Sequence, residues 1–100
     1  MNDYTVRIKL EDLIKVTNLL MDDLKKRGHS QIDLKEAYYW DIEKEERYNL
    51  QEDPTNLTVG DLVHDWERME QIIDDPEMIV SAALVWLGSI YRAIGEEIEY

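Results

Sequence analysis

The apolar positions near the start of the chain change their spacing at about residue 10. Over residues 4–9 apolar side chains alternate with polar ones, which is the period of a half-buried strand. From residue 11 they recur every three or four positions, which predicts a helix over 11–27. Acidic residues fall in the first turn of this helix and basic residues in its last, and Gly28 supplies a C-terminal stop.

The next segment carries a weaker pattern. Ile32 and Leu34 alternate with polar neighbours, so residues 31–34 are interpreted as a short strand that pairs with residues 4–9. A helix through residues 34–39 is an equally open interpretation. Residues 41–56 are mostly polar and contain Pro54, which predicts a long surface connection.

Two further helices are predicted in the second half. Thr58 and Asp61 resemble a capping box that begins a helix over 58–73. The predicted apolar stripe of this helix consists of Val59, Leu62, Val63, Trp66, Met69 and Ile73. Its predicted outward face carries Asp61, Asp65, Glu67, Glu70 and Asp74. Asp75 and Pro76 have the residue types of an N-cap and a first helical position, so a third helix is predicted over 76–94, with Gly95 as its stop.

These elements predict a mainly α fold. Residues 1–100 form one domain, a small bundle of three principal helices with a short two-stranded β edge from residues 4–9 and 31–34. The third helix is apolar around most of its circumference, which is typical of a helix that lies centrally or faces a second subunit.

Charge is distributed unevenly along the chain. Of the net −12, residues 51–100 carry −10, from twelve carboxylates and two arginines. Such a field attracts basic partners and repels nucleic acid. The charge therefore predicts a protein that binds a basic protein and makes no direct contact with nucleic acid.

Several kinds of chemistry lack the residues that they need. There is no Cys, no Gly-rich phosphate loop and no Gly-x-Ser-x-Gly turn. Asp61, His64 and Asp65 have a spacing that would admit a divalent metal, but no second ligand cluster accompanies them. We therefore expect a protein that is not an enzyme and that uses neither a metal nor a cofactor.

The sequence also predicts a cytoplasmic location. The longest uncharged run, residues 78–91, is shorter than the roughly 20 residues that a membrane-spanning helix needs. No apolar stretch follows a basic start at the N-terminus, and the lack of Cys fits a reducing compartment. We expect no membrane association.

The aromatic pair Tyr38-Tyr39 and the acidic helix junction Asp74-Asp75-Pro76 resemble features of small bacterial immunity proteins that neutralise nuclease toxins, notably those of the colicin DNase type. The elements that carry this resemblance are Tyr38-Tyr39, Asp74-Asp75-Pro76, Ile79-Val80 and Trp86. In that family a tyrosine pair and a cluster of acids meet the basic toxin. The resemblance implies a short, acidic, helical inhibitor of a toxin nuclease.

The predicted partner-binding surface combines aromatic anchors with the acids of the second half. Its residues are Tyr38, Tyr39, Asp41, Glu43, Asp61, Asp65, Glu67, Glu70, Asp74 and Asp75. Two alternatives remain open: a phage-type inhibitor that mimics DNA toward a defence complex, and a helical adaptor or homodimer that pairs through the 76–94 helix. In the second alternative the acids serve only solubility.

Overall fold

A computed structural model of the chain describes residues 5–98. The chain divides into two compact units, Met1–Ile32 and Asp33–Tyr100. We call the first the N-terminal unit and the second, which holds most of the carboxylates, the acidic unit. Each unit is described by itself.

Over its described residues, 5–32, the N-terminal unit contains one helix, α1 (Leu10–Lys26), which confirms the predicted helix to within one residue at each end. Its chain reversal at Gly28 is a Schellman motif. The Gly28 N–H donates to the Lys25 carbonyl at 3.0 Å, and the His29 N–H donates to the Leu24 carbonyl at 3.1 Å. Gly28 has a φ of +97°, which L side chains rarely adopt, so the predicted stop at this glycine is also confirmed.

The predicted β edge is wrong. Residues 5–9 and 31–34 have no strand conformation, and Tyr4 lies outside the described residues. The sheet is instead formed within the acidic unit by β1 (Tyr38–Ile42) and β2 (Leu57–Asp61), paired antiparallel. Aromatic and β-branched side chains favour these two runs as strands because they pack well on a pleated surface.

The segment between the strands is more ordered than predicted. Residues 41–56 were expected to form one surface connection, yet they include the end of β1 and the short helix α2 (Lys44–Arg47). The Glu46 carboxylate joins α2 to the residues just before β2. It accepts hydrogen bonds from the Thr55 hydroxyl at 2.6 Å and from the Asn56 N–H at 3.0 Å.

The next helix, α3 (Leu62–Asp74), begins later than the predicted helix over 58–73. Thr58 does not cap it, because Thr58 lies within β2. The cap is Asp61, whose carboxylate accepts from the Val63 N–H at 2.9 Å and the His64 N–H at 3.4 Å. The chain therefore passes from strand to helix at a single aspartate.

The predicted single helix over 76–94 is also wrong. Asp75 and Pro76 begin only a 3₁₀ turn (Pro76–Met78), in which the Asp75 carboxylate accepts from the Glu77 N–H at 3.1 Å. The backbone is extended at Ile79, and helix α4 runs over Ala83–Glu97. Gly95 does not stop α4, which continues through it.

Taken together, residues 5–98 contain four α-helices, three of them of seven residues or more, and one two-stranded sheet. The prediction of a mainly α fold is confirmed, whereas the count of three principal helices is not exact. Among these residues no helix combines the length and the apolarity needed to cross a membrane.

The core of the acidic unit lies where α3 packs on α4. Leu62 and Met69 of α3 and Ile90 of α4 are its buried apolar residues in the described chain. The predicted apolar stripe of α3 is partly wrong, because Val63, Trp66 and Ile73 are exposed while Asp65 is buried. The helix is thus rotated relative to the prediction, and the contacts of Asp65 explain why.

Candidate functional site

An open groove of about 880 Å³ runs beside β1 in the acidic unit. All five residues of β1 line it, and none of β2 does. Since one face of a sheet presents only alternate residues, a groove lined by every residue of one strand lies along that strand's free edge. Further lining comes from α4, including Val85, Gly88, Ser89, Arg92 and Ala93.

The free edge of β1 exposes backbone groups to this groove. The Leu62 N–H donates to the Ala37 carbonyl at 2.8 Å, so these two residues form a hydrogen-bonded pair of the antiparallel ladder. Hydrogen-bonded and non-hydrogen-bonded pairs alternate along such a ladder. In that alternation Tyr38, Trp40 and Ile42 direct their N–H and C=O groups away from β2. The Ile42 carbonyl accepts from the Arg47 guanidinium.

Beneath the sheet, Tyr39 connects β1 to α3. Its hydroxyl donates to the Asp65 carboxylate at 2.7 Å. Gly60 lies directly opposite Tyr39 in the ladder, and a Cβ at Gly60 would collide with the Tyr39 ring at its Cζ atom. The ring therefore crosses β2 at the one position without a side chain, and this allows the hydroxyl to reach α3.

The contact explains the burial of Asp65, which was predicted to lie on the outward face of its helix. Its exposed fraction is only 6%, and that prediction is wrong because a phenol 26 residues earlier in the chain satisfies the carboxylate. Burial raises the pKa of Tyr39, and the hydrogen bond to Asp65 and the charges of Asp65 and Asp41 raise it further, while the Ser89 hydroxyl acts in the opposite sense. Tyr39 is therefore held as a protonated donor.

Charge at the groove is close to balanced. Arg47 pairs with Asp41 at 3.1 Å, and Lys35 pairs with Glu97 at 3.8 Å. With Arg92, the groove lining holds three of the five basic residues of the acidic unit. The excess negative charge of this unit therefore lies mainly outside the groove.

Two aromatic side chains stand out from β1 on the face opposite to Tyr39. Tyr38 and Trp40 are 67% and 69% exposed. Val59 faces Trp40 across the ladder and is also exposed. The free edge of β1 is thus flanked by an exposed apolar, aromatic surface of the acidic unit. We call Tyr38, Trp40 and Val59 the aromatic face.

The predicted site residues separate into groups. Tyr38, Tyr39 and Asp41 meet at the groove. Glu67, Glu70 and Asp74 are exposed on one side of α3, which we call the acidic face. Glu43 is exposed just before α2. Asp61 and Asp75 serve as caps, and Asp65 is buried.

Some residues of the site were missed in the sequence. The alternation in Tyr38-Tyr39-Trp40 could have indicated that Trp40 shares a face with Tyr38. Gly60 after Thr58-Val59 could have indicated a close approach within a strand. Arg47 and Arg92 give no local signal, because only the fold brings them to β1.

The possible metal ligands do not converge. The His64 Nδ1 lies 3.4 Å from the Asp61 carboxylate, whereas the Asp65 carboxylate is bound by Tyr39. Within residues 5–98 no group of three metal-ligating side chains comes together.

No protein-family model matches the chain, and neither a curated protein nor a solved structure matches it.

Proposed function

We propose that the acidic unit binds a basic protein and blocks its action, in the manner of an immunity protein that neutralises a toxin nuclease. One observation carries the proposal: a unit with a large negative charge presents two exposed aromatic side chains beside an open strand edge. Neither feature alone would favour inhibitory binding, since acidic surfaces aid solubility and single exposed aromatics are common.

The charge supplies long-range attraction. The acidic unit holds eighteen acidic and five basic side chains, a net of −13. Three of the five basic residues line the groove, so most of the excess carboxylates, including those of the acidic face on α3, lie outside it. Such a field accelerates the encounter with a basic protein, and salt weakens the acceleration.

The aromatic face supplies short-range affinity. Large aromatic side chains dominate the binding energy of protein interfaces because they bury much area at little cost in conformational entropy. Tyr38 and Trp40 also carry the outward N–H and C=O groups of β1, to which an extended segment of the partner can add as a third strand. Asp65 and Tyr39 support this face from beneath and do not contact the partner.

A second candidate is an inhibitor that mimics DNA toward a defence complex. The row of carboxylates Glu67, Glu70 and Asp74 on one side of α3 favours it, because such a row can imitate a phosphate track. In that function the acidic face carries most of the affinity, and Trp40 contributes little.

The test begins with capture. The full chain is immobilised, an extract of the source cell is applied at low ionic strength, and the retained proteins are identified by mass spectrometry. The basic protein retained most strongly is purified for stopped-flow association measurements and for an assay of nuclease activity. We expect that its association rate falls at least about tenfold as salt rises. Retention of no basic protein, or an association rate that does not respond to salt, would reject the proposal.

Variants then separate the two candidates. Trp40→Ala is expected to weaken binding by about 2 kcal/mol, which is roughly thirtyfold in Kd, through faster dissociation. Leu50→Ala, at another highly exposed apolar residue, is the control and should have little effect. A large effect of Trp40→Ala supports the toxin-inhibitor function, whereas a negligible effect rejects it in favour of DNA mimicry.

A charge-matched pair tests the acidic face. Glu67→Gln with Glu70→Gln removes two charges from α3, and Glu52→Gln with Asp53→Asn removes two from the exposed connection before β2. If the acidic face contacts the partner, the first pair slows association more than the second. Equal effects would show that net charge alone attracts the partner.

A further inference from the structure

Helix α1 exposes an apolar seam. Leu10, Leu13, Thr17, Leu20 and Leu24 recur at alternating intervals of three and four residues, which is the spacing that lets two helices pack along their length. Leu24 is buried, but Leu10 and Leu20 are 72% and 55% exposed. An amphipathic helix with an open seam of this kind fits another helix.

We propose that α1 pairs antiparallel with α1 of a second copy of this chain. The first argument is the charge of the unit that carries it. The N-terminal unit has six basic and five acidic side chains, a net of +1, against −13 for the acidic unit. Two copies that approach through their acidic units repel each other, whereas two N-terminal units approach with almost no net repulsion.

The second argument is the polarity of α1. Glu11 and Asp12 lie in its first turn, and Lys25 and Lys26 lie in its last. An antiparallel pair brings the acidic end of each helix to the basic end of the other and opposes the two helix dipoles. A parallel pair would place like charges together at both ends.

The seam and the charges agree on one register. When Leu20 packs beside Thr17 of the second copy, the first turn of each helix lies at the last turn of the other. This register sets Asp12 opposite Lys25 of the second copy. The contact is the same for both chains, as a two-fold symmetric dimer requires.

A dimer through α4 is less well supported. Ile90 of α4 is buried within the acidic unit, and the Trp86 ring lies 4.5 Å from the Arg68 guanidinium carbon. These two residues are therefore used inside the unit. A contact through α4 would also bring together the two units of −13 charge. Leu84 of α4 is nevertheless 78% exposed, so it provides a matched control.

The first test compares two exposed leucines in the full chain. Sedimentation equilibrium should show a species of twice the 11.9 kDa chain mass, in a concentration-dependent equilibrium with monomer. Leu20→Asp should weaken dimerisation at least tenfold, and Leu84→Asp should leave it unchanged. Far-ultraviolet circular dichroism establishes that the helices persist in both variants. A wild-type chain that stays monomeric, or a dimer that only Leu84→Asp disrupts, would overturn the proposal.

The second test uses charge reversal at the two ends of α1. One double variant, Glu11→Lys with Asp12→Lys, makes both ends basic, and the other, Lys25→Glu with Lys26→Glu, makes both ends acidic. Each alone should dimerise at least tenfold more weakly than wild type, and an equimolar mixture should recover a heterodimer. The mixture controls for changes in the helix itself, because it contains the same two chains.

Two results of this second test count against antiparallel pairing. Reversal of Glu11 and Asp12 without loss of the dimer would show that the first turn does not face a basic end. A mixture that stays as monomeric as its components would show that charge at the ends does not join the chains.

Discussion

The two units of this chain are stabilised in different ways. The N-terminal unit is one helix whose end is closed by hydrogen bonds between residues three and five positions apart. The acidic unit depends on contacts between residues far apart in sequence, such as Tyr39 with Asp65, 26 residues away. The unit with the greater self-repulsion is thus the one whose structure requires specific distant contacts.

Many carboxylates of the acidic unit have internal roles. Asp61 and Asp75 cap helical turns, and Glu46 accepts from the Thr55 hydroxyl and the Asn56 N–H. The Thr55 hydroxyl, followed by the Asn56 N–H, lowers the pKa of Glu46. Because the folded pKa is lowered, this contribution to stability is present above the ordinary pKa of a glutamate and is lost as pH falls through the folded value. These carboxylates still contribute to the field of the unit, but their hydrogen bonds within the chain leave them less able to contact a partner directly.

Among substitutions that test this difference between the two units, Gly60→Ala is expected to lower the free energy of unfolding most. The new Cβ would displace the Tyr39 ring, separate its hydroxyl from Asp65 and leave a buried carboxylate without its donor. We expect a loss of about 2–3 kcal/mol in the free energy of unfolding. Hydrogen exchange should show the loss at the amides of α3 and α4.

Gly95→Ala is the matched control for this substitution. A Cβ at Gly95 meets no atom within 4 Å, and the residue lies inside α4. Alanine there should stabilise the helix by about 1 kcal/mol. A Gly60→Ala variant as stable as wild type would contradict the close approach of Tyr39 to β2.

The next largest loss of unfolding free energy is expected from Tyr39→Phe, which keeps the ring and removes the hydroxyl. Loss of a hydrogen bond to a charged, buried acceptor should destabilise the protein by about 2 kcal/mol at neutral pH. Because the folded pKa of Tyr39 is raised, its contribution is complete below about pH 10 and is lost as pH rises through the folded value.

Denaturant titrations at a series of pH values check both parts of this prediction. The difference in unfolding free energy between wild type and Tyr39→Phe should stay constant from neutral pH to about pH 10 and narrow above it. A Tyr38→Phe variant serves as the control, because the Tyr38 ring is exposed and its loss of a hydroxyl should change little. Parallel pH curves for wild type and Tyr39→Phe would contradict the role of the phenol.

The same division between local and distant contacts explains what the sequence could predict. Helix α1 was predicted closely because its signals, charged end turns and Gly28, lie within it. The strands were missed because β1 and β2 stabilise each other only once paired, across a connection that was expected to be irregular. The burial of Asp65 could not be predicted from its own helix, because its partner Tyr39 is in another element.

In the N-terminal unit, replacing Gly28 is expected to lower the free energy of unfolding less than replacing Gly60 does in the acidic unit. Gly28→Ala places an L side chain at a φ of +97°, with no atom within 4 Å to clash. Only the conformational penalty applies, about 1 kcal/mol, and hydrogen exchange should show it in the last turns of α1. Gly28→Asn is the control, since asparagine tolerates this conformation better. Equal losses in both variants would contradict the Schellman motif.

The smallest effect is expected from Arg68, whose guanidinium carbon lies 4.5 Å from the centre of the Trp86 ring across the α3–α4 contact. Arg68→Gln should cost about 0.5 kcal/mol, because it removes both the cation–π attraction and one of the five positive charges in the acidic unit. Arg68→Lys retains the charge and loses the planar stacking. Salt separates the two contributions, since it screens the long-range repulsion among the carboxylates but weakens a contact at this distance much less. The loss of unfolding free energy in Arg68→Gln should therefore be smaller at high salt but still present. A loss that disappears entirely at high salt would show that Arg68 stabilises the unit only by offsetting the repulsion among carboxylates, and not through its contact with the Trp86 ring.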